Sequence, residues 1–108
     1  LNLKSEKKFD FITMGEVLEH VKKPQIILKK LKKLISDGGS IYLSTCVDCP
    51  SIDHVYHFKS IKEIEEMIKK CGFKILDSLV LPVENKPMKE IIKNKITINY
   101  CAHIKKLI

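Results

Sequence analysis

The chain has 108 residues, 44% of them hydrophobic, and a net charge of +7, which predicts one globular domain and argues against a disordered chain. All twenty basic residues are lysine, which rules out bidentate arginine contacts to phosphate, so a solvated lysine surface is favoured over a nucleic-acid partner. A lysine-rich RNA-binding piece is the alternative, and a steep salt dependence of binding would support it. A long apolar run and a signal-peptide pattern are both lacking. We therefore expect no membrane span, a cytoplasmic location and reduced thiols at the cysteines.

The first elements along the chain alternate between strand and helix. A short apolar segment at Phe9–Met14 predicts a strand that Gly15 ends. One or two helical turns are expected over Glu16–Val21 before Pro24 stops them. Apolar residues spaced for a helix then predict one that begins after Pro24 and leaves through Gly38-Gly39. Its apolar stripe consists of Ile27, Leu28, Leu31, Leu34 and Ile35.

A second strand and a second helix follow. Ser40–Cys46 predicts the strand, and a long irregular stretch reaches from its end to Phe58. Ser60 and Glu63 form the capping-box pattern, in which the serine caps a helix and the glutamate reaches back to it. Cys71-Gly72 is expected to end this helix.

The last third of the chain predicts two more strands. Phe73–Leu81 is one, Asn85–Lys93 is a loop or short helix, and strict alternation from Ile96 to Lys105 predicts the other. Strands that alternate with helices indicate an α/β fold, with a mixed sheet and helices on its faces. Because no long helix separates the last two strands, we expect the final strand to be antiparallel to its neighbours.

The segment Phe9-Asp-Phe-Ile-Thr-Met-Gly-Glu-Val-Leu-Glu-His-Val21 resembles the second half of class I S-adenosylmethionine (SAM)-dependent methyltransferases. The later motifs occur in the family's order: Pro24, Leu28, Leu31, Leu34, Gly38-Gly39, Ser44-Thr45, Asp53-His54, Phe58, Ser60 and Cys71-Gly72-Phe73. The resemblance implies a Rossmann-like fold, SAM as cofactor, and methyl transfer to oxygen or nitrogen of a small-molecule acceptor. Residues 1–108 would supply strands four to seven of a seven-stranded sheet, the last inserted antiparallel between the second and third strands of this chain.

One part of the family's pattern is absent. The Gly-x-Gly-x-Gly loop that lets the backbone approach SAM has no counterpart, because the four glycines never occur as Gly-x-Gly. Too few residues precede Phe9 for two more strands, and the chain begins with Leu. We therefore expect a partial domain whose partner is the missing N-terminal, SAM-binding half. The alternative is a truncated, non-catalytic half-domain that does not bind SAM.

The resemblance implies that Met14, Gly15 and Glu16 lie beside SAM, mostly through their backbone, with Val17 and Leu18 nearby. For these last two side chains, simple packing into the core is the alternative. A general base, if the reaction needs one, would be His20, His54 or His57, since imidazole titrates near neutral pH. The pattern does not single out one of the three.

A divalent-metal site is a further expectation. Glu16, Glu19 and His20 are spaced to share one face of a helical turn, and His57 or His54 after the next strand could add a fourth ligand for Mg²⁺ or Mn²⁺. The motif resembles that of small-RNA 3′-end 2′-O-methyltransferases and ubiquinone-pathway O-methyltransferases. It implies a metal-dependent RNA ribose methyltransferase as an alternative function. In many methyltransferases the same residues only cap, pair or line the pocket.

The spacing Cys46-x-x-Cys49, followed by His54 and His57, also fits the ligands of a zinc site. The short distance from the cysteines to the histidines departs from ordinary zinc fingers. A thioredoxin-like redox pair is disfavoured, because Cys46 ends a strand rather than opening a helix.

Overall fold

The computed structural model describes residues 7–51 and 53–107, and the elements follow the predicted order. They are strand β1 (Phe9–Gly15), a 3₁₀ turn (Leu18–His20), helix α1 (Pro24–Leu34), strand β2 (Ile35–Val47), helix α2 (Ile61–Lys70), strand β3 (Phe73–Pro82), helix α3 (Met88–Lys93) and strand β4 (Ile98–Lys106). In the described ranges no helix has the length and apolar character required to cross a bilayer.

The strands form one mixed sheet in the order β1-β2-β4-β3. β1 and β2 run parallel through the α1 crossover, whereas β4 is antiparallel to both β2 and β3. The prediction that the last strand inserts antiparallel between the second and third is confirmed. Helix α3 is only six residues long, and a connection this short suits an antiparallel return.

Both long helices pack on the same face of the sheet. The buried leucines of α1 and the buried isoleucines of α2 belong to one apolar cluster with alternate residues of β4. Those β4 residues are Ile98, Tyr100, Ala102 and Ile104, and the residues between them are only partly buried. The alternation in the sequence therefore predicts the two faces of β4 correctly.

The Gly38-Gly39 pair does not end α1, as the sequence pattern predicts. The helix ends at Leu34, and Ile35 is extended, fully buried and paired with Phe9 of β1. Gly39 instead lies where the two strands approach closely. A Cβ at Gly39 would be 2.7 Å from Ile35 Cγ1 and 3.0 Å from the Asp10 carbonyl oxygen. Apolar periodicity could not separate these roles, because Ile35 continues the helical stripe while it begins the strand.

The turn after β1 is shorter than the predicted helix. Only Leu18–His20 is helical, as a single 3₁₀ turn. Glu16 has a φ of 55°, in the left-handed region, and its N–H donates to the Ser44 carbonyl oxygen at 3.0 Å. Glu16 and Glu19 are therefore not successive residues of one helical face, and their approach depends on the turn.

The start of α2 follows the predicted cap with one difference. The Ser60 hydroxyl accepts from the Glu63 N–H at 3.1 Å, as expected. The Glu63 carboxylate accepts from the N–H of Lys59 at 2.8 Å rather than from Ser60 itself. The helix ends as predicted, since Gly72 takes a φ of 92° that side-chain-bearing residues rarely adopt.

Candidate functional site

The candidate site lies at the carboxyl ends of the parallel strands β1 and β2. Ligands of open α/β sheets bind at this edge. The turn that follows β1 meets the loop that follows β2, because the Glu19 carbonyl oxygen accepts from the N–H groups of Val55 at 2.8 Å and Tyr56 at 3.0 Å. These two bonds hold the loop beside the turn and bring side chains from both segments together.

The five residues expected beside SAM differ in their exposure. Met14 and Leu18 are buried in the apolar core, whereas Gly15 and Glu16 are exposed and Val17 is half-buried. Leu18 thus packs into the core, which was the alternative for its side chain. Cofactor binding at these five positions stays a prediction.

Two carboxyl groups meet in the turn. Glu19 is only 2% exposed, and its Oε1 accepts from Thr45 Oγ1 at 3.1 Å while Cys46 Sγ donates to Oε2 at 3.8 Å. A hydrogen bond with Glu19, burial and the charge of Glu19 raise the pKa of Glu16 to about 7. Burial by itself raises the pKa of Glu19, but hydrogen bonds from Glu16, its own backbone and Thr45 lower it overall. The pair therefore shares a proton near neutral pH, with Glu19 ionised.

Two of the three candidate histidines lie together beside this pair. The rings of His20 and His54 meet edge to face with centroids 4.9 Å apart. His20 Nδ1 lies 2.9 Å from the Asp53 carbonyl oxygen, and His54 Nδ1 lies 2.5 Å from that of Cys49. A carbonyl can only accept, so Nδ1 donates in both, and in the neutral form Nε2 retains its lone pair.

The structure brings together only part of the expected metal-ligand set. Among the described residues, Glu19, His20 and His54 offer ligand atoms within 4.8 Å of one another. His57 instead lines a separate hollow of about 220 Å³ with Lys59 and Lys95. His54 thus takes the place expected of His57, and metal binding itself stays a prediction. The sequence pattern does not predict that Thr45 and Cys46 contact Glu19, although the end of β2 is the edge at which they had to lie.

An apolar hollow of about 420 Å³ runs along β1 next to the site. It is lined by β1 residues, Val17 and two leucines of α1, and Phe11 is 53% exposed. Within the part of the chain that the structure describes, β1 pairs with β2 alone and its other edge is open. Unpaired edges beside apolar surface are rare in stable proteins, since they invite pairing with another strand.

Residues 2–78 match the family described as "Methyltransferase domain". The chain belongs to this family of class I SAM-dependent methyltransferases. A 44-residue segment is 39% identical to the mitochondrial ubiquinone biosynthesis O-methyltransferase of Dictyostelium discoideum. The matched segment covers 41% of this chain and 14% of that protein.

Two solved structures share the fold at low identity. The [4+2]-cyclase SpnF superposes with a TM-score of 0.75 and 12% identity, over 99% of this chain and 53% of that one. The second structure is the N-methyltransferase NodS of Bradyrhizobium japonicum WM9 in complex with S-adenosylhomocysteine. It superposes with a TM-score of 0.69 and 13% identity, over 97% of this chain and 50% of that one. The chain therefore spans about half the length of these structures. Since one of them is a cyclase, the fold alone does not define the reaction.

Proposed function

We propose that this chain takes part in transferring the methyl group of SAM to an oxygen or nitrogen atom of a small-molecule acceptor, as part of a longer protein. The observation that carries the proposal is the contact between the turn after β1 and the loop after β2, which places His20 of the turn against His54 of the loop. SAM supplies an electrophilic methyl group on a sulfonium sulfur. The residues of this chain would orient the acceptor and take up its proton.

The residues of the turn fit one side of a SAM site. A Cβ at Gly15 would meet only Ser44 Oγ, at 3.7 Å, so the backbone there is open to a ligand. Met14 and Leu18 are buried, so they would contribute backbone groups, while Val17 and Glu16 would contribute side chains as well. The sequence has no Gly-x-Gly loop, so the opposite side of the cofactor needs another segment.

His20 and His54 are the groups that suit proton uptake. Each ring is oriented by a backbone carbonyl that holds Nδ1–H, which presents Nε2 as the acceptor. An acceptor hydroxyl or amine placed against Nε2 could lose its proton as the methyl group arrives. The O-methyltransferase named among the relatives supports an oxygen acceptor.

The open edge of β1 supports the proposal that another segment completes the sheet. Phe9 and Phe11 are 38% and 53% exposed along this edge, beside the apolar hollow. The chain covers about half of the SpnF and NodS structures while being itself almost wholly covered. We infer that the N-terminal half of the domain pairs with β1 here and supplies the glycine loop, with the present strands as the fourth to seventh of the complete sheet.

One observation favours a second candidate, metal-dependent methylation of an RNA ribose 2′-hydroxyl. Glu19, His20 and His54 present ligand atoms within 4.8 Å of one another, which suits Mg²⁺ or Mn²⁺ with positions left for ribose hydroxyls. The two candidates differ in their acceptor and in their requirement for a divalent cation, and both can be tested on one protein.

Calorimetric titration with SAM, with and without Mg²⁺, tests the proposal. The isolated chain is expected to give no heat up to millimolar SAM, and the chain joined to a completing N-terminal half is expected to bind SAM. Transfer from radiolabelled SAM to phenols and amines, without dependence on a cation, supports the first candidate. Transfer to RNA 3′ ends that requires Mg²⁺ or Mn²⁺ supports the second. A completed domain that binds no SAM contradicts both and favours a non-catalytic half-domain.

Histidine variants then test the residue roles. His20→Ala or His54→Ala is expected to lower kcat by about 10²-fold or more if that ring takes up the proton. The matched control is His57→Ala, since His57 lines a different hollow, and its kcat should stay within about twofold of the parent. Equal losses in all three variants would argue against a specific base.

A further inference from the structure

Two cysteines meet His54 where β2 ends. Cys46 is the last residue but one of β2, and Cys49 follows three residues later. Between them Asp48 has a φ of 50°, in the left-handed region, and its N–H donates to the Phe58 carbonyl oxygen at 3.0 Å. The Sγ atoms of both cysteines and a ring nitrogen of His54 lie within 4.8 Å of one another.

We propose that Cys46, Cys49 and His54, together with the Glu19 carboxylate, form a tetrahedral site for Zn²⁺. Two thiolates and an imidazole favour zinc over Mg²⁺ and Mn²⁺, which prefer oxygen ligands. The site shares Glu19 and His54 with the glutamate–histidine set of the second candidate function but adds two thiolates. Zinc bound there would occupy His54 Nε2 and leave His20 as the ring available for proton uptake, and the test of the zinc site does not depend on methyl transfer.

The distances require only a small contraction. A tetrahedral zinc ion with Zn–S bonds near 2.3 Å places its ligand atoms about 3.3–3.8 Å apart. Cys46 Sγ is already 3.8 Å from Glu19 Oε2. Because the ligand atoms of Cys46, Cys49 and His54 lie within 4.8 Å of one another, each pair would have to approach by about 1.5 Å at most to meet that geometry.

Two of the four ligands are already held by hydrogen bonds of the kind that orient ligands in metalloproteins. His54 Nδ1 donates to the Cys49 carbonyl oxygen, which leaves Nε2 as the ring nitrogen that can bind a metal. The second oxygen of Glu19 accepts from the fully buried Thr45 hydroxyl at 3.1 Å. These contacts fix the imidazole tautomer and the carboxylate orientation without a metal.

Zinc would join three segments of the site. Glu19 belongs to the turn after β1, Cys46 to β2, and the other two ligands to the following loop. The backbone already ties this loop to Glu19 through Val55 and Tyr56, and the ion would replace a weak thiol–carboxylate contact with covalent ligation. Since cysteines bind zinc as thiolates, binding must release the thiol protons of Cys46 and Cys49, and the affinity should increase with pH.

Cobalt substitution of the reduced full chain provides the test. One equivalent of Co²⁺ should give thiolate-to-cobalt charge-transfer absorption and the intense visible bands of a tetrahedral ion, and Zn²⁺ should displace it. Excess Mg²⁺ should not displace the bound Co²⁺. Absence of charge-transfer absorption, or six-coordinate spectra alone, would overturn the proposal. A Cys46–Cys49 disulfide that persists in the presence of thiol reductant would overturn it as well.

Single substitutions identify the ligands. Cys49→Ser, at a half-buried loop position, and His54→Ala should each weaken Zn²⁺ binding at least about 100-fold in competition with a chromophoric chelator. Cys71→Ser makes the same change at a buried cysteine on the far end of α2, where Sγ donates to the Gln25 carbonyl oxygen, and should leave the affinity unchanged. Far-ultraviolet circular dichroism checks that each variant folds. Folded Cys49→Ser protein that binds Zn²⁺ as tightly as the parent refutes the site.

Discussion

The substitution Glu16→Gln should make the stability of this chain less dependent on pH. The contact with Glu19 and burial raise the pKa of Glu16 from 4.5 to about 7 in the folded chain. A raised carboxyl pKa means that the folded state is favoured while Glu16 is protonated. This contribution is complete below about pH 4.5 and is lost as the pH rises through about 7. Glutamine has the shape and the donor of the protonated form and never ionises.

The expected difference can be worked out from the same shift. For a fully buried carboxyl, a rise from 4.5 to about 7 would correspond to about 3 kcal/mol between low and high pH. Glu16 is exposed, so solvent screening reduces the effect to about 1 kcal/mol. The Gln variant should therefore be more stable than the parent by about 1 kcal/mol above pH 7 and about equally stable near pH 5.

Urea unfolding at about pH 5 and about pH 8, with chelator and reductant present, measures this difference. Glu66→Gln on the exposed side of α2 is the matched control, since Glu66 has only a 3.9 Å contact with Lys62. Its stability relative to the parent should change little between the two pH values. If Glu16→Gln differs from the parent by the same amount at both, the shared proton of Glu16 and Glu19 does not exist.

Three further changes are expected to have measurable effects. Gly39→Ala should destabilise the chain by about 2 kcal/mol or more in urea unfolding, because the new Cβ would lie within 3.0 Å of two backbone oxygens. Gly15→Ala is the control, since its Cβ would have one contact at 3.7 Å, and it should change stability by less than about 0.5 kcal/mol. Ser60→Ala should cost about 1 kcal/mol by removing the acceptor of the Glu63 N–H, with Ser51→Ala in an exposed loop as its control. Phe11→Lys should reduce self-association of the isolated chain in sedimentation velocity while leaving its thermal unfolding within a few degrees of the parent, since Phe11 is 53% exposed.

Much of the fold follows from local patterns in the sequence. The alternation in β4 and the capping residues of α2 depend on neighbours along the chain, so the two faces and the helix start are predicted correctly. The end of α1 is not, because the burial of Ile35 arises from its pairing with Phe9 of another strand. Apolar spacing reports that a residue is buried and not which element buries it.

The candidate site was predictable only in part for a similar reason. Spacing correctly indicates that Glu16 and Glu19 approach, although the structure achieves this with a left-handed turn rather than a helix. It could not choose between His54 and His57, because the path of the long loop decides which ring returns to Glu19. That path depends on backbone hydrogen bonds from Val55 and Tyr56 to the Glu19 carbonyl oxygen, which side-chain patterns do not encode.

The uncovered face of the sheet connects these observations to the proposed longer protein. Phe11, Tyr42 and His103 form a row across three strands, with ring centroids 5.4 Å and 4.2 Å apart. Within the described residues, His103 Nε2 is buried and has no hydrogen-bond partner. A buried polar atom without a partner costs about 1–3 kcal/mol, and the open apolar edge of β1 adds to the instability of this side. A segment that pairs with β1 would close its open edge, and a hydrogen-bonding group on that segment that reaches His103 would remove the cost of its unpartnered nitrogen. The contact that completes the proposed SAM site would then also stabilise the half-sheet.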